Sequence, residues 1–226
     1  MTEIRRVLVW SGWLRLSHWT LALSVLVLIA TGWTIGNSPM VAADALEYHY
    51  LAASAMIFAL ALRVLVFIRG KPHERLSALF PQPSEFSAIK QTFIFYLSLA
   101  KQPLPNWYAH NPFWKMLYLF MYTALLLMLI SGTMMVDHPV VIGFYLPSVH
   151  DFWSTVLTIL VLLHLLSTFV HDYYAKSTDI SAMVNGYRLF ELEGSDKARP
   201  GLKTVSVELQ SMQSLLGKNN NDRNNQ

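Results

Sequence analysis

Residues 149–174 read VHDFWSTVLTILVLLHLLSTFVHDYY. Past Asp151 the run is apolar for long enough to cross a bilayer, which takes about 20 residues. Three histidines stand in the stretch, the third, His171, near its end, and the first two decide its reading. His150 stands at its start, and His164 stands 14 positions later (164 − 150). At about 1.5 Å per residue that separates them by roughly 21 Å along a helix, close to four turns, so both rings leave the same face. An apolar span with two ionisable rings on one face, at two depths, is an expensive arrangement in lipid and points to function.

Three further stretches match the length of this one: 16–36, LSHWTLALSVLVLIATGWTIG; 48–68, YHYLAASAMIFALALRVLVFI; and 113–136, FWKMLYLFMYTALLLMLISGTMMV. Tyr and Trp gather near the ends of the four, including Trp13, Trp33, Tyr48, Trp114, Trp153 and Tyr173, as in interfacial belts. The connectors 37–47 and 137–148 hold neither Lys nor Arg. The loop 69–112 holds Arg69, Lys71, Arg75, Lys90 and Lys101, and basic residues also flank both ends of the chain. The positive-inside rule then puts both termini and the long loop in the cytoplasm and the two short connectors outside.

Composition agrees. Of 226 residues, 54% are hydrophobic and 14% charged, against about a quarter charged in soluble domains. The net charge of +3 sits in connectors and reads as membrane orientation; no basic, aromatic-laced run suggests nucleic acid. Without cysteine there are no disulfides, c-type haem attachments or Cys-held iron–sulfur clusters. The first apolar run has no small-residue cleavage site and is expected to be a retained helix. Within the long loop, FSAIKQTFIFYLSLA (86–100) is apolar but short and is expected to be an interfacial helix. The fold expected is therefore all-α: an integral membrane four-helix bundle over 1–190. A polar cytoplasmic tail, 191–226, is expected to be largely disordered, apart from one short amphipathic helix in TVSVELQSMQSLL.

The remaining histidines complete the pattern. His18 lies just inside the first span, which runs from inside to outside. His49 opens the second span at the outer face. Depth therefore pairs His49 with His150 outside, and His18 with His164 inside. A non-covalent b haem takes two axial imidazoles from facing helices, and two such pairs suit two haems b stacked across the bilayer. Gly32, Ala52, Ala53, Ser54 and Ala55 are small enough to admit a flat macrocycle. Arg63, toward the inner end of the second span, either meets a haem propionate or snorkels to headgroups. His171 and Asp172, two turns past His164, either form a quinone or proton site or end the helix. His138 and His73 follow or precede prolines in connectors and are expected to be solvated.

Several segments resemble the cytochrome b subunit of membrane-bound nickel–iron hydrogenases, a family related to the gamma subunit of formate dehydrogenase. RLSHWTLALSVLVLIATGW (15–33) is similar to its first helix, and AHNPFW (109–114) to its Gly-His-Asn-Pro element. The His150–His164 spacing matches its paired ligands, and SAMVNGYRLF (181–190) its Ser-Met-Ile-x-Gly-Tyr-Arg segment. The resemblance implies haem iron held by His18, His49, His150 and His164, and a quinone site near His110 and Asn111 beside the inner haem. The chain departs from the family after its last ligand. Leu165-Leu166 and Val170-His171-Asp172 stand where Val-Tyr and Arg-Glu-Asp are usual, and the Asn-rich tail is its own.

The function so implied is that of membrane anchor and electron carrier of a respiratory oxidoreductase in a bacterial inner membrane. Iron–sulfur and catalytic subunits on the outer face would exchange electrons through the haems with the quinone pool. Two other readings use the same residues: a stand-alone di-haem cytochrome b that oxidises a small reductant, and a non-haem membrane transporter or assembly factor.

Overall fold

Four long helices arise where apolar residues run unbroken, because in lipid every backbone amide and carbonyl must pair within its own segment. The computed structural model describes residues 3–175 and 178–192. Its long helices are α1 (Gly12–Asn37), α2 (Ala42–Arg69), α4 (Pro112–Met134) and α5 (Leu146–Ala175). All four are long and apolar enough to cross a membrane. They contain the expected spans 16–36, 48–68 and 149–174. The third stops at Met134, two residues before the expected 136, where the chain turns toward the connector. The short helix expected in 86–100 is α3 (Phe86–Leu97). The expected tail 191–226, with its short amphipathic helix, lies outside the described residues beyond Leu192.

The all-helical expectation needs one amendment. Strands β1 (Glu3–Leu8) and β4 (Tyr187–Leu192) pair, as do β2 (Val140–Val141) and β3 (Phe144–Tyr145). The second pair is an antiparallel hairpin turning on Ile142 and Gly143, both at positive φ, the turn geometry that suits the strands' twist. Such short ribbons leave almost no periodic trace in a sequence. They mark the two ends of the bundle, called here the β1/β4 end and the hairpin end.

The helices associate as two antiparallel pairs. α1 packs along α2 and α4 along α5, while contacts between the pairs are sparse. The pairs meet through Val25, Met56, Ala124, Leu125 and Leu157. At the β1/β4 end Val9, Trp10, Leu14, Val66 and Ala182 form a second cluster. Glu74 ties this end together. It is 1% exposed, and its carboxylate accepts from the Ser11 amide at the start of α1 (2.6 Å) and from the Lys71 amide just after α2 (3.0 Å). The acid thus serves orphan donors at a helix start, where negative charge is favoured.

The Asn-Gly-Tyr-Arg segment closes the same end. Gly186 ends α6 (Asp179–Asn185) at φ +89°, and its carbonyl accepts from the Val9 and Trp10 amides (2.8 and 3.1 Å). A Cβ there would stand 2.8 Å from both the Trp10 carbonyl and Leu8 Cδ1, so only glycine fits without strain.

Candidate functional site

The pairing inferred from depth is present in space. The rings of His18 (α1) and His164 (α5) lie 6.3 Å apart between centres, and those of His49 (α2) and His150 (α5) 6.4 Å. An iron about 2 Å from each nitrogen, with ring centres about 1 Å further out, gives about 6 Å between centres. Both pairs therefore stand at the separation of two axial ligands, and each joins one helix pair to the other. Among the described residues no three His, Asp or Glu side chains converge to hold a bare metal ion; the histidines come in twos.

Near the hairpin end the ring nitrogens are already sorted. Thr31 Oγ1 lies 2.8 Å from His49 Nδ1, and Ser131 Oγ 3.0 Å from His150 Nδ1. Each hydroxyl gives its own hydrogen to its helix backbone: Thr31 to the Val27 carbonyl, Ser131 to that of Leu127, both at 2.7 Å. The hydroxyls are thus acceptors toward the rings. With the hydroxyls accepting, both imidazoles would carry hydrogen on Nδ1 and present a bare Nε2, the arrangement of a metal-ligating histidine with an oriented outer shell. Gly32 and Gly132 follow these hydroxyls and face the same rings. A Cβ on Gly132 would stand 2.9 Å from His150 Cε1, one on Gly32 3.7 Å from His49 Cε1.

Sequence reasoning picked Gly32 but missed Thr31, Ser131 and Gly132. A trace existed: a hydroxyl residue and a glycine near the end of one helix, with the histidine 18 or 19 residues on, in both halves. Thr31→Val and Ser131→Ala should each weaken haem retention about 10- to 100-fold. Haem titration of the purified apoprotein checks this; unchanged affinity would make the hydroxyls bystanders.

The other pair sits among aromatics. The rings of Trp114 and Tyr118 flank His164 at 5.8 and 5.9 Å. Buried Nδ1 of His164 has no hydrogen-bond partner among the described residues. Arg63 is 7% exposed, with its guanidinium over Phe67 (4.6 Å) and toward Tyr122 (5.7 Å). Its Nε is also unpaired among the described residues. A buried cation with a spare donor suits a carboxylate such as a haem propionate. Of the small residues expected to admit a macrocycle, Ala52 is buried and Ala53 and Ala55 partly so. Ser54 is exposed and bonds its own helix.

His110 packs between Trp10 (5.0 Å) and Tyr118 (5.9 Å). Burial, reinforced by the charges of Arg63 and Lys115, pushes it down to about 3, so it is neutral at any physiological pH. Asn111 caps α4: its Oδ1 accepts from the Phe113 amide (2.9 Å), while buried Nδ2 has no partner among the described residues. His171 and Asp172 stand further toward the β1/β4 end. Asp172 accepts from the amides of Asp179 (2.6 Å) and Ile180 (3.0 Å), at the start of α6. His171 is 2% exposed and bonds Tyr96.

His138 is exposed, as expected. His73 is not simply solvated: its Nε2 lies 2.7 Å from the Val9 carbonyl and its ring packs on Trp10 and Tyr108. The chain end folds back over this loop, a contact across 64 positions that local reading misses.

A family model described as prokaryotic cytochrome b561 matches residues 9–186. The chain is 24% identical over 222 residues to a protein of Cupriavidus necator named probable Ni/Fe-hydrogenase B-type cytochrome subunit, covering 84% of this chain and 89% of that one. It is likewise 24% identical over 220 residues to a protein of the same name from Azotobacter vinelandii, covering 84% and 91%. No solved structure matches significantly.

Proposed function

Since the chain belongs to the prokaryotic cytochrome b561 family, we propose that it is the membrane electron carrier of a hydrogenase-type respiratory complex, with two haems b and a quinone site. The observation that carries this reading is the two histidine pairs, each at axial-ligand spacing and at opposite ends of one bundle. When bound, the haems supply reversible one-electron chemistry across the membrane. The chain's own residues hold them. His49 and His150 grip the outer one, with Thr31 and Ser131 fixing their rings. His18 and His164 grip the inner one, and Arg63 neutralises a propionate.

The β1/β4 end faces the bacterial cytoplasm with both termini, and α3 lies along that interface. The names of the two relatives support a catalytic hydrogenase partner; in this reading the hairpin end faces outward, toward that partner and its iron–sulfur clusters. The quinone binds beside the inner haem, where Asn111 Nδ2 offers a buried donor and neutral His110 a second polar group. The favoured flow runs from the outer partner to quinone.

The test uses holoprotein in native membranes. Haems reduced through the co-purifying partner are expected to reoxidise on adding a short-chain quinone. Asn111→Asp keeps an N-cap of equal quality but removes the amide donor. It is expected to retain both haems and to slow reoxidation at least several-fold, about 1 kcal/mol or more of lost hydrogen bonding. Wild-type haems that ignore quinone would end the quinone reading; an unaffected variant would leave Asn111 a helix cap.

A further inference from the structure

Four elements converge on His171. Rings of Phe95, Tyr96 and Trp107 enclose it at 6.2, 5.8 and 5.3 Å. Its Nε2 lies 2.6 Å from the Tyr96 hydroxyl of α3, which also accepts from Trp114 Nε1 of α4 at 2.8 Å. Its Nδ1 lies 3.6 Å from Asp179 Oδ2. The other oxygen of Asp179 is committed to Arg188, whose Nη2 stands 3.0 Å away. Arg188 Nη1 in turn donates to the Trp107 and Tyr108 carbonyls. Asp179 has 20% of its side chain exposed against 3% for His171. Polar groups therefore run in series: a partly wet carboxylate, a buried imidazole, a half-buried phenol, and an indole whose ring lies 5.8 Å from that of His164.

A clasp holding α3 to α5 would need only the phenol and one ring nitrogen. A carboxylate on the far nitrogen, locked by an arginine, adds nothing to a clasp. It does suit an imidazole that gains and loses protons. Among the described residues, the charged and titratable groups near His171 include Tyr96 from α3, Asp179 from α6 with its partner Arg188 from β4, and Asp172 and His164 on its own helix. α4 presents Trp114.

We propose that Asp179, His171 and Tyr96 form a proton relay to the quinone reduced beside the His18–His164 pair, an inference that rests on the quinone reading above. Turning a quinone into a quinol takes two electrons, drawn singly from ferrous haem b, and two protons, drawn from water at the β1/β4 end. For each proton, the Tyr96 O–H bond breaks as an O–H bond forms on the quinone oxygen. The His171 Nε2–H bond then breaks to restore the Tyr96 hydroxyl as Nδ1 takes a proton from water beside the Asp179 carboxylate, so the ring stays neutral, and exchange of that proton from Nδ1 to Nε2 resets it for the second transfer. Burial raises Tyr96 to about 12, so its hydroxyl is intact whenever a proton is needed.

The test compares two oxidants of the reduced holoprotein in vesicles with a trapped pH dye. Ferricyanide takes electrons alone; a short-chain quinone needs protons as well. His171→Gln and Asp179→Asn are expected to slow oxidation by quinone, and the proton uptake that accompanies it, roughly tenfold or more. Oxidation by ferricyanide and the affinity for a quinone-site inhibitor should stay at wild-type values. Asp179→Glu should recover most of the loss.

Unchanged quinone kinetics in His171→Gln would overturn the relay, as would equal slowing with both oxidants. If His171→Gln loses haem, the Asp179→Asn and Asp179→Glu pair decides, because Asp179 lies at the rim. Wild-type protein that never reduces quinone would overturn the relay and the quinone reading together; a quinone-active wild type with indifferent variants overturns the relay alone.

Discussion

His150→Ala is expected to leave the protein with one haem in place of two. His150 and His49 stand 6.4 Å apart and no third His, Asp or Glu converges with them among the described residues, so nothing replaces the lost imidazole. Pyridine haemochrome analysis should fall from about two haems per chain to about one, the count of bis-imidazole sites. His49→Ala should give the same loss. His18→Ala and His164→Ala should each remove the other haem, since their pair is separate. Under the proposed ligation α5 supplies a ligand to both, so the double variant His150→Ala, His164→Ala should carry none. A His150→Ala protein that keeps both haems with unaltered spectra would break the ligand assignment.

The second large effect needs one methyl group. Gly132→Ala puts a Cβ 2.9 Å from His150 Cε1 and 3.4 Å from its Nδ1. The ring can rotate away at small cost in fold stability, and alanine favours the helix by up to about 1 kcal/mol over glycine. The rotation, however, takes Nδ1 off Ser131 and Nε2 out of line. The variant is thus expected to fold and insert normally, to keep the inner haem and to lose the outer one. Gly32→Ala is the matched comparison. Its Cβ would lie 3.7 Å from His49 Cε1, an ordinary contact, and both haems should remain. Low-temperature spectra of the two variants resolve the difference. Full outer haem in Gly132→Ala would show that the His150 ring is not held where the geometry places it.

Much of this was readable beforehand, for a physical reason. Lipid forces a spanning helix to be apolar throughout, so α1, α2, α4 and α5 announce themselves by composition. Ionisable residues within them stand out for the same reason, and the His150–His164 spacing needs only helical geometry to interpret. What stayed hidden depends on contacts between distant segments. Tyr96 meets His171 across 75 positions, and Ser11 meets Glu74 across 63. Glu74 stands in a Pro-punctuated polar loop with no local sign of burial, yet it is almost fully buried. Thr31 and Ser131 were invisible because a hydroxyl in a span commonly satisfies itself on its own helix. These do so too, and the use of their remaining lone pairs shows only once the partner helix is in place.

The two helix pairs touch sparsely, yet each histidine pair joins one to the other: His18 to His164 and His49 to His150. Under the haem reading, the cofactors are cross-braces between two hairpins, and mass action links their supply to cohesion of the whole. A ligand bound only by the assembled state stabilises it by an amount that grows with the logarithm of its free concentration, about 2.7 kcal/mol at a hundredfold excess over Kd. If the hairpins α1–α2 and α4–α5 enter the bilayer as separate units, the haems are what joins them. Their lasting association would then follow the supply of haem, and a membrane short of haem would also be short of the assembled chain.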